Sequence, residues 1–165
     1  MRLSGALIVL TCCLFSVALS AQARKPGLWE ITTNMTFQQS PFPQGMAARP
    51  GSPFGGPHTS QVCITQEQID KYGAPISEQR DCQVTNISKS ATGMRAEMVC
   101  TGAMNGKGTL EASFLDGAHT KSKVHFAGTM QAGPQGPKPV EWTSESSSTY
   151  KGPDCGSVKP MSSPR

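Results

Sequence analysis

The sequence predicts an all-β protein in which about seven antiparallel strands form a meander that curls into a barrel or half-barrel. Apolar residues recur at every second position, turn sequences rich in glycine and asparagine separate the alternating segments, and helical periodicity is almost absent. One-sided alternation is typical of strands that have one buried face and one solvated face. Since the connections are short, strands that are adjacent in sequence are expected to pair in space.

Residues 1–23 are predicted to form a secretory signal peptide. Arg2 supplies the basic start, residues 6–19 are mostly apolar, and Ala21-Gln22-Ala23 is typical of a cleavage site. The apolar run is shorter than the roughly 18 to 20 residues that span a bilayer, which disfavours a membrane anchor. A lipoprotein signal is also disfavoured, because the three residues before Cys12 are Val-Leu-Thr and lack the small residue such a site needs.

Cleavage is expected to leave a single β domain at residues 24–155 and a disordered tail at 156–165. The chain has a net charge of +4, and its basic residues are scattered rather than interleaved with aromatic residues. This pattern gives little support to nucleic-acid binding. The predicted signal peptide leads us to expect a periplasmic or secreted protein with no transmembrane segment after signal cleavage.

The first strand is predicted at residues 28–37, where Pro26 and Gly27 turn the chain in and Trp29 begins the apolar face. Turns are predicted at Ala91-Thr92-Gly93, Asn105-Gly106 and Asp116-Gly117, because glycine and asparagine tolerate a positive φ. The remaining predicted strands are 59–64, 82–89, 94–101, 108–115, 118–130 and 140–150.

One short helix is predicted at residues 65–72, directly after the second strand. Thr65 can cap its first turn, and Gln68 three residues later completes a capping box. Gly73 and Pro75 then end it.

Residues 40–57 are rich in proline and glycine and are predicted to form a long mobile loop. The segment also carries Phe42, Met46 and Phe54. It is either a flexible apolar lid or partner contact, or a tolerated insertion whose aromatic rings graze the surface.

An even number of cysteines follows the leader, which predicts two disulfides in an oxidising compartment. The alternative, a metal site, is disfavoured, because the chain has no Cys-x-x-Cys pair and no histidine at zinc-ligand spacing from a cysteine. The four residues are Cys63, Cys82, Cys100 and Cys155.

Strand register favours one of the three connectivities that four cysteines allow. Directly opposed residues of an antiparallel pair point to the same face, so Val84 is expected opposite Met98. That register places Cys82 opposite Cys100 and predicts a disulfide between them. The other two cysteines then tie the second strand to the C-terminal end of the domain.

Five short segments together resemble a bacterial family, domain of unknown function 3617. The resemblance implies an exported, mostly periplasmic protein of gram-negative bacteria, and it implies no activity, cofactor or catalytic residue. Family members commonly end in Gly-Asp-Cys, whereas this chain has an extra proline before its aspartate. The segments are Pro-Gly-Leu-Trp-Glu at 26–30, Cys-Ile-Thr-Gln-Glu at 63–67, Asp-Cys-Gln-Val at 81–84, Val-Cys-Thr-Gly at 99–102 and Gly-Pro-Asp-Cys at 152–155.

No catalytic residue, metal or cofactor is predicted from the sequence. The serines at 144–148 lack a Gly-x-Ser-x-Gly elbow and a Ser-x-x-Lys pair. His119 and His125 lie six residues apart on one predicted strand, roughly 20 Å at the strand rise, so they cannot share a metal ion or a proton.

The functional prediction is an exported envelope protein that binds an apolar small molecule or lipid in the interior of its sheet. Pairing of the first and last strands would bring both tryptophans to that interior. The same side chains could instead form a plain, filled core. The alternative is a non-enzymatic interaction or structural protein that acts through residues 40–57. The predicted apolar lining is Trp29, Met98, Phe114, Phe126 and Trp142.

Overall fold

The computed structural model describes residues 24–43, 56–73, 76, 81–131, 134 and 136–160. The predicted leader, residues 44–55 of the predicted loop and residues 161–165 of the predicted tail lie outside the described residues. The elements in chain order are β1 (Gly27–Gln39), β2 (His58–Ile64), α1 (Gln66–Tyr72), β3 (Cys82–Ser90), β4 (Gly93–Thr101), β5 (Met104–Phe114), β6 (His119–Gln131) and β7 (Pro137–Gly152).

All seven strands belong to one antiparallel sheet, whose order is β2-β1-β7-β6-β5-β4-β3. The all-β prediction and the short helix after the second strand are confirmed. The predicted barrel or half-barrel is supported only in part, because the sheet is not closed and β2 and β3 form its two separate edges. The chain between these edges runs through α1, and Tyr72 and Ile76 pack onto the sheet at Met94 and Ala112. The helical segment therefore packs on the face of the sheet, and the two edge strands do not pair.

Strands β3 to β7 form the predicted meander, and β1 lies between β7 and β2. The first and last strands pair as predicted, with Trp29 opposite Tyr150 and Phe37 opposite Trp142. This pairing places both tryptophans on one face of the sheet.

Helix α1 has both of its predicted end signals. Thr65 is extended, with φ of −87° and ψ of 160°, and its hydroxyl accepts a hydrogen bond from the Gln68 N–H at 3.2 Å. The Gln68 side chain accepts from the Thr65 N–H at 3.0 Å, which completes the capping box. Gly73 takes a left-handed φ of 71°, and its N–H donates to the Ile69 carbonyl.

The sheet has a covered face and a polar face. The covered face carries odd-numbered residues of β1 and even-numbered residues of β4 to β7, and two apolar clusters lie on it. The Tyr72 cluster consists of Tyr72, Ile76, Met94, Ala96 and Ala112. The Phe126 cluster consists of Cys82, Cys100, Phe126, Val140 and Trp142.

The polar face carries cross-strand ion pairs. Arg95 lies 3.4 Å from Glu111, and Lys123 lies 3.3 Å from Glu145. All four side chains are largely exposed, and such pairs contribute about 0 to 1 kcal/mol each. The stability of the sheet therefore depends on the covered face.

Both predicted disulfides are present in the structure. Cys82 lies directly opposite Cys100 and is bonded to it, as the register predicted. Cys63 is bonded to Cys155 and joins residues 92 positions apart. Beyond Cys155, in the part predicted to be a tail, the Val158 N–H donates to the Cys155 carbonyl, and Pro160 forms an isolated bridge with Cys63.

The register that predicted the first disulfide holds only for the first half of β3. Thr85 lies opposite Glu97, but Ser88 lies opposite Arg95, so a bulge shifts the register between them. Asn86 at this bulge has a positive φ of 51°, and its side chain donates to Glu97 at 2.8 Å. Asparagine tolerates this backbone conformation better than most residues.

The turn predicted at Asn105-Gly106 is wrong. Both residues lie inside β5 and pair with Thr129 and Gly128 of β6. The chain reverses instead at Gly102-Ala103, where the Gly102 N–H donates to the Met104 carbonyl at 2.9 Å.

Asp116 organises the turn between β5 and β6. One carboxylate oxygen accepts from the Ala118 and His119 N–H groups, at 2.6 and 2.7 Å, and the other lies 2.8 Å from the His119 ring. The His119 side chain and these backbone hydrogen bonds favour the ionised form and lower the pKa of Asp116.

Replacing Cys63 and Cys155 by alanine is expected to lower the free energy of unfolding more than replacing Cys82 and Cys100. On a chain-entropy estimate the long-range disulfide contributes roughly 4 to 5 kcal/mol and the short-range one about 3 kcal/mol. Urea unfolding of the two double variants measures the difference. Reduced wild-type protein is the control, because it loses both cross-links and keeps all four sulfur atoms. Equal losses would contradict the chain-entropy account.

Asp116→Asn is expected to lower the thermal unfolding midpoint at pH 7. Because the folded-state pKa is lowered, the stabilisation is fully present above the unfolded-state value of about 3.9 and is lost as pH falls through the folded-state value. The midpoints of wild type and variant should therefore converge in acid. His119→Gln keeps both backbone hydrogen bonds and should show a smaller loss. Identical midpoints at pH 7 would rule out this role for Asp116.

Candidate functional site

Three of the predicted lining residues lie together at one end of the covered face. Phe126 and Trp142 stack with ring centroids 5.6 Å apart and an interplanar angle of 22°. They are cross-strand partners on β6 and β7, and Met98 of β4 packs against the same cluster. Both rings are buried.

The other two predicted residues lie elsewhere on the same face. Trp29 is fully buried and packs edge-on against Tyr150, with centroids 5.4 Å apart. Tyr150 follows Trp142 on β7 by eight residues, which is roughly 26 Å along a strand. Phe114 packs against the Tyr72 cluster. The two tryptophans therefore share a face without being in contact, and the lining role of the five residues stays a prediction.

Flexible apolar side chains surround the stacked rings. Methionine has an unbranched, polarizable side chain that adapts its shape to what it contacts. The partly buried residues packed against the Phe126 cluster are Met35, Phe37, Met98, Met104, Val124 and Met130. The rim of this cluster is therefore more adaptable than a core of branched side chains.

The start of the predicted loop packs at this rim. Phe42 lies edge-on to Phe37, with centroids 6.1 Å apart and an interplanar angle of 90°, and Pro41 is buried. Residues 44–55, which include Met46 and Phe54, are not among those that the structure describes. The first part of the loop thus contacts the covered face beside the Phe126 cluster.

Small hydroxyl side chains separate the two aromatic ends of the face. On β7 every inward position between Trp142 and Tyr150 is a serine, and Thr120 and Ser122 lie beside them on β6. Ser144 and Ser148 are buried, and Ser146 lies 2.9 Å from the Thr33 hydroxyl. The side chains in the middle of the covered face are therefore smaller and more polar than those at its ends.

Arg24 is the residue that sequence analysis missed. Its guanidinium carbon lies 4.6 Å from the ring centroid of Trp29 and 5.6 Å from that of Phe114. Nη2 donates to the Thr120 hydroxyl at 3.2 Å and Nη1 to the Gly73 carbonyl at 3.4 Å. Only 5% of the residue is exposed to solvent. In the sequence it is one of several scattered basic residues, and no motif distinguishes it.

The charge of Arg24 has no partner of opposite sign among the residues that the structure describes. Its Nε is the one buried side-chain nitrogen or oxygen in those residues without a hydrogen-bond partner. Burial lowers the pKa of Arg24 to about 10, so the group stays protonated at neutral pH. At pH values below about 10, this lowering corresponds to a loss of about 3 kcal/mol in the free energy of folding. The two aromatic faces offset part of it, since a desolvated cation–π contact is worth about 2 kcal/mol.

The polar face carries a shallow cavity of about 530 Å³ that crosses β1, β7, β6 and β5. Charges alternate along one row of its lining, from Glu145 through Lys123 to Glu111. A second cavity of about 320 Å³ lies on the same face beside Lys107 and His125. Neither lining includes an aromatic residue other than His125, which lies 3.0 Å from Glu141. Both cavities are typical of a solvated sheet surface.

Within the described part of the chain, no three His, Cys, Asp or Glu residues are placed to hold a metal ion. His119 is paired with Asp116 and His125 with Glu141, so the two histidines have separate partners. The same part of the chain contains no helix with the length and apolar character needed to cross a membrane.

The fold and the covered face define a class: a disulfide-linked protein built on one open antiparallel sheet with an apolar face. The chain belongs to the family described as protein of unknown function (DUF3617), whose model matches residues 24–155. The expected family resemblance is thereby confirmed. Searches of curated proteins and of solved structures each found no match.

Gly108→Ala is expected to destabilise the protein by about 1 to 3 kcal/mol, because β5 passes too close to its neighbours there. An added β-carbon would lie 2.6 Å from the His125 carbonyl oxygen and 3.1 Å from the Met98 methyl group. Urea unfolding measures the loss, and near-ultraviolet circular dichroism should report a changed Phe126–Trp142 stack.

Gly152→Ala is the matched control, because an added β-carbon there meets no atom within 4 Å. It should change the free energy of unfolding by no more than about 0.5 kcal/mol. A wild-type dichroism spectrum for Gly108→Ala would show that the aromatic pair does not depend on this close approach.

Proposed function

We propose that this is an exported envelope protein, periplasmic or secreted, that binds an apolar small molecule or lipid against the covered face of its sheet. The observation that carries the proposal is the methionine-rich rim around the stacked Phe126 and Trp142 rings. Aromatic and methionine side chains provide large apolar contact area, and methionine can repack around ligands of different shape.

Export is supported by the two disulfides, which persist in oxidising compartments and are rare in the cytosol. The sequence of residues 1–23 supports it independently, because it has the order of charge, apolar run and small residues that signal peptidases recognise.

The start of the loop supports a role for residues 40–57 as a cover over the bound ligand. Phe42 contacts Phe37 at the edge of the Phe126 cluster, and the segment that follows returns to the sheet at β2. The same contact supports the alternative function, an interaction or structural protein whose partner is held by this loop.

Titration of delipidated protein with a long-chain fatty acid is expected to change tryptophan fluorescence. The Trp29→Phe variant isolates Trp142, whose emission should respond because the ligand is expected beside the Phe126 stack. Native mass spectrometry of protein purified from a periplasm should also show an added apolar mass. No spectral response together with no added mass would favour the interaction protein.

Met98→Gln and Val99→Gln form a matched pair, because the two residues are adjacent and point to opposite faces of β4. Met98→Gln places an amide in the apolar cluster and should weaken fatty-acid binding about tenfold. Val99→Gln changes the polar face and should leave binding near the wild-type value. If Val99→Gln weakened fatty-acid binding more than Met98→Gln, the result would assign the binding site to the polar face.

A further inference from the structure

Arg24 has the features of a residue that binds an anionic ligand, because no described residue supplies the anion. Its guanidinium is buried, its Nε–H lacks an acceptor, and no described carboxylate lies within ion-pair distance of it. Buried charges in proteins are ordinarily paired with an opposite charge or a metal ion. The aromatic faces of Trp29 and Phe114 attract the cation but accept no hydrogen bond in the plane of the guanidinium.

A purely structural role explains Arg24 less well. An apolar side chain of similar length could fill the space between Trp29 and Phe114 without any charge to desolvate. The existing contacts also leave the Nε–H of the planar guanidinium without an acceptor. The Nη1 contact with Gly73 is long at 3.4 Å, and the Nη2 partner is a neutral hydroxyl. A guanidinium forms its strongest contacts side-on with two oxygens of one carboxylate or phosphate.

The surroundings of Arg24 also indicate what is attached to such an anion. From Thr120 and Ser148, which lie opposite each other beside Arg24, the small serine side chains of β7 lead toward the Phe126 cluster. One face of the sheet therefore carries a cation at one end, hydroxyl groups along its middle and an adaptable apolar cluster at the other end. This division matches an amphiphile, which has an acidic head and an apolar chain.

We propose that Arg24 binds the carboxylate or phosphate head of an amphiphilic ligand, whose chain extends along β7 to the Phe126 cluster. The assignment rests on the proposed function, and it adds that the ligand is an acid. The Nε–H and a neighbouring N–H donate to two oxygens of the head group, and the Thr120 hydroxyl lies beside it. The apolar contacts are made independently of this charge.

Calorimetric titration of delipidated protein with palmitic acid and with the alcohol of the same chain length tests the assignment. Wild type is expected to bind the acid at least about tenfold more tightly than the alcohol, since a hydrogen bond to a charged group is strong. Arg24→Met should bind both equally, with unchanged affinity for the alcohol. Lys25→Met is the matched control, because Lys25 is exposed and stacks over Tyr150. It should keep the preference for the acid.

Three results would overturn the assignment, and they are distinguishable. Equal binding of acid and alcohol by wild type would remove the role of Arg24 and leave the proposed function intact. Binding of neither ligand would overturn both. Arg24-dependent binding of inorganic phosphate as tight as that of palmitate would assign the site to a free oxyanion. If Arg24→Met does not fold, Arg24→Lys serves instead. It keeps the charge, lacks the Nε–H, and should reduce the preference for the acid.

Discussion

The pairing of β1 with β7 is the constraint on which the rest of the structure depends. It joins the two ends of the domain and brings Trp29 beside Tyr150. It also leaves β2 outside β1, where Cys63 reaches Cys155 just beyond the end of β7. Contacts between such distant parts of a chain cost loop-closure entropy. The long-range disulfide reduces that cost by cross-linking the same two regions in the unfolded chain.

The same pairing makes the covered face continuous. Without it, Trp29 and Phe37 would lie on a separate hairpin of β1 and β2, and a two-stranded hairpin is marginally stable by itself in water. With it, side chains of β1 lie beside those of β7, and the Phe126 cluster extends across to Met35 and Phe37. Arg24, three residues before β1, is thereby held over Thr120 of β6. The candidate site thus depends on contacts between the two ends of the domain.

Strand positions, the helix and the Cys82–Cys100 disulfide were predictable because they depend on local patterns, and the Cys63–Cys155 disulfide then followed by elimination. Alternation located the strands to within a few residues, except at β5, where Asn105 and Gly106 have a turn composition but lie in the sheet. Glycine is needed there for a different reason: an added β-carbon on Gly106 would lie 2.4 Å from the Ala127 carbonyl oxygen and 2.7 Å from the Gly128 α-carbon. A glycine that allows the backbone of the next strand to come close has the same local signature as a turn glycine.

Features that depend on tertiary geometry were not predictable in this way. The sheet is open, and Tyr72 and Ile76 pack on its face. No local pattern specifies where a helix packs. Arg24 was missed for a similar reason, because its burial results from residues 29, 114 and 120, which are far apart in sequence. The net charge of a sequence does not distinguish a buried arginine from an exposed one. A buried, unpartnered one becomes visible only when its neighbours are known.

The two faces of the sheet offer a ligand very different amounts of binding free energy. On the polar face, a ligand must compete with water and with existing exposed ion pairs such as Lys123–Glu145, and exposed charge pairs contribute little. On the covered face, apolar contact gains about 25 cal/mol for each Å² removed from water. A charge there also interacts through a lower effective dielectric. Burial of Arg24 without an anion destabilises the free protein, and an acidic ligand would offset part of that cost on binding. If Arg24 binds the head group as proposed, selectivity for acids over neutral amphiphiles of equal length would follow from the desolvation of one arginine.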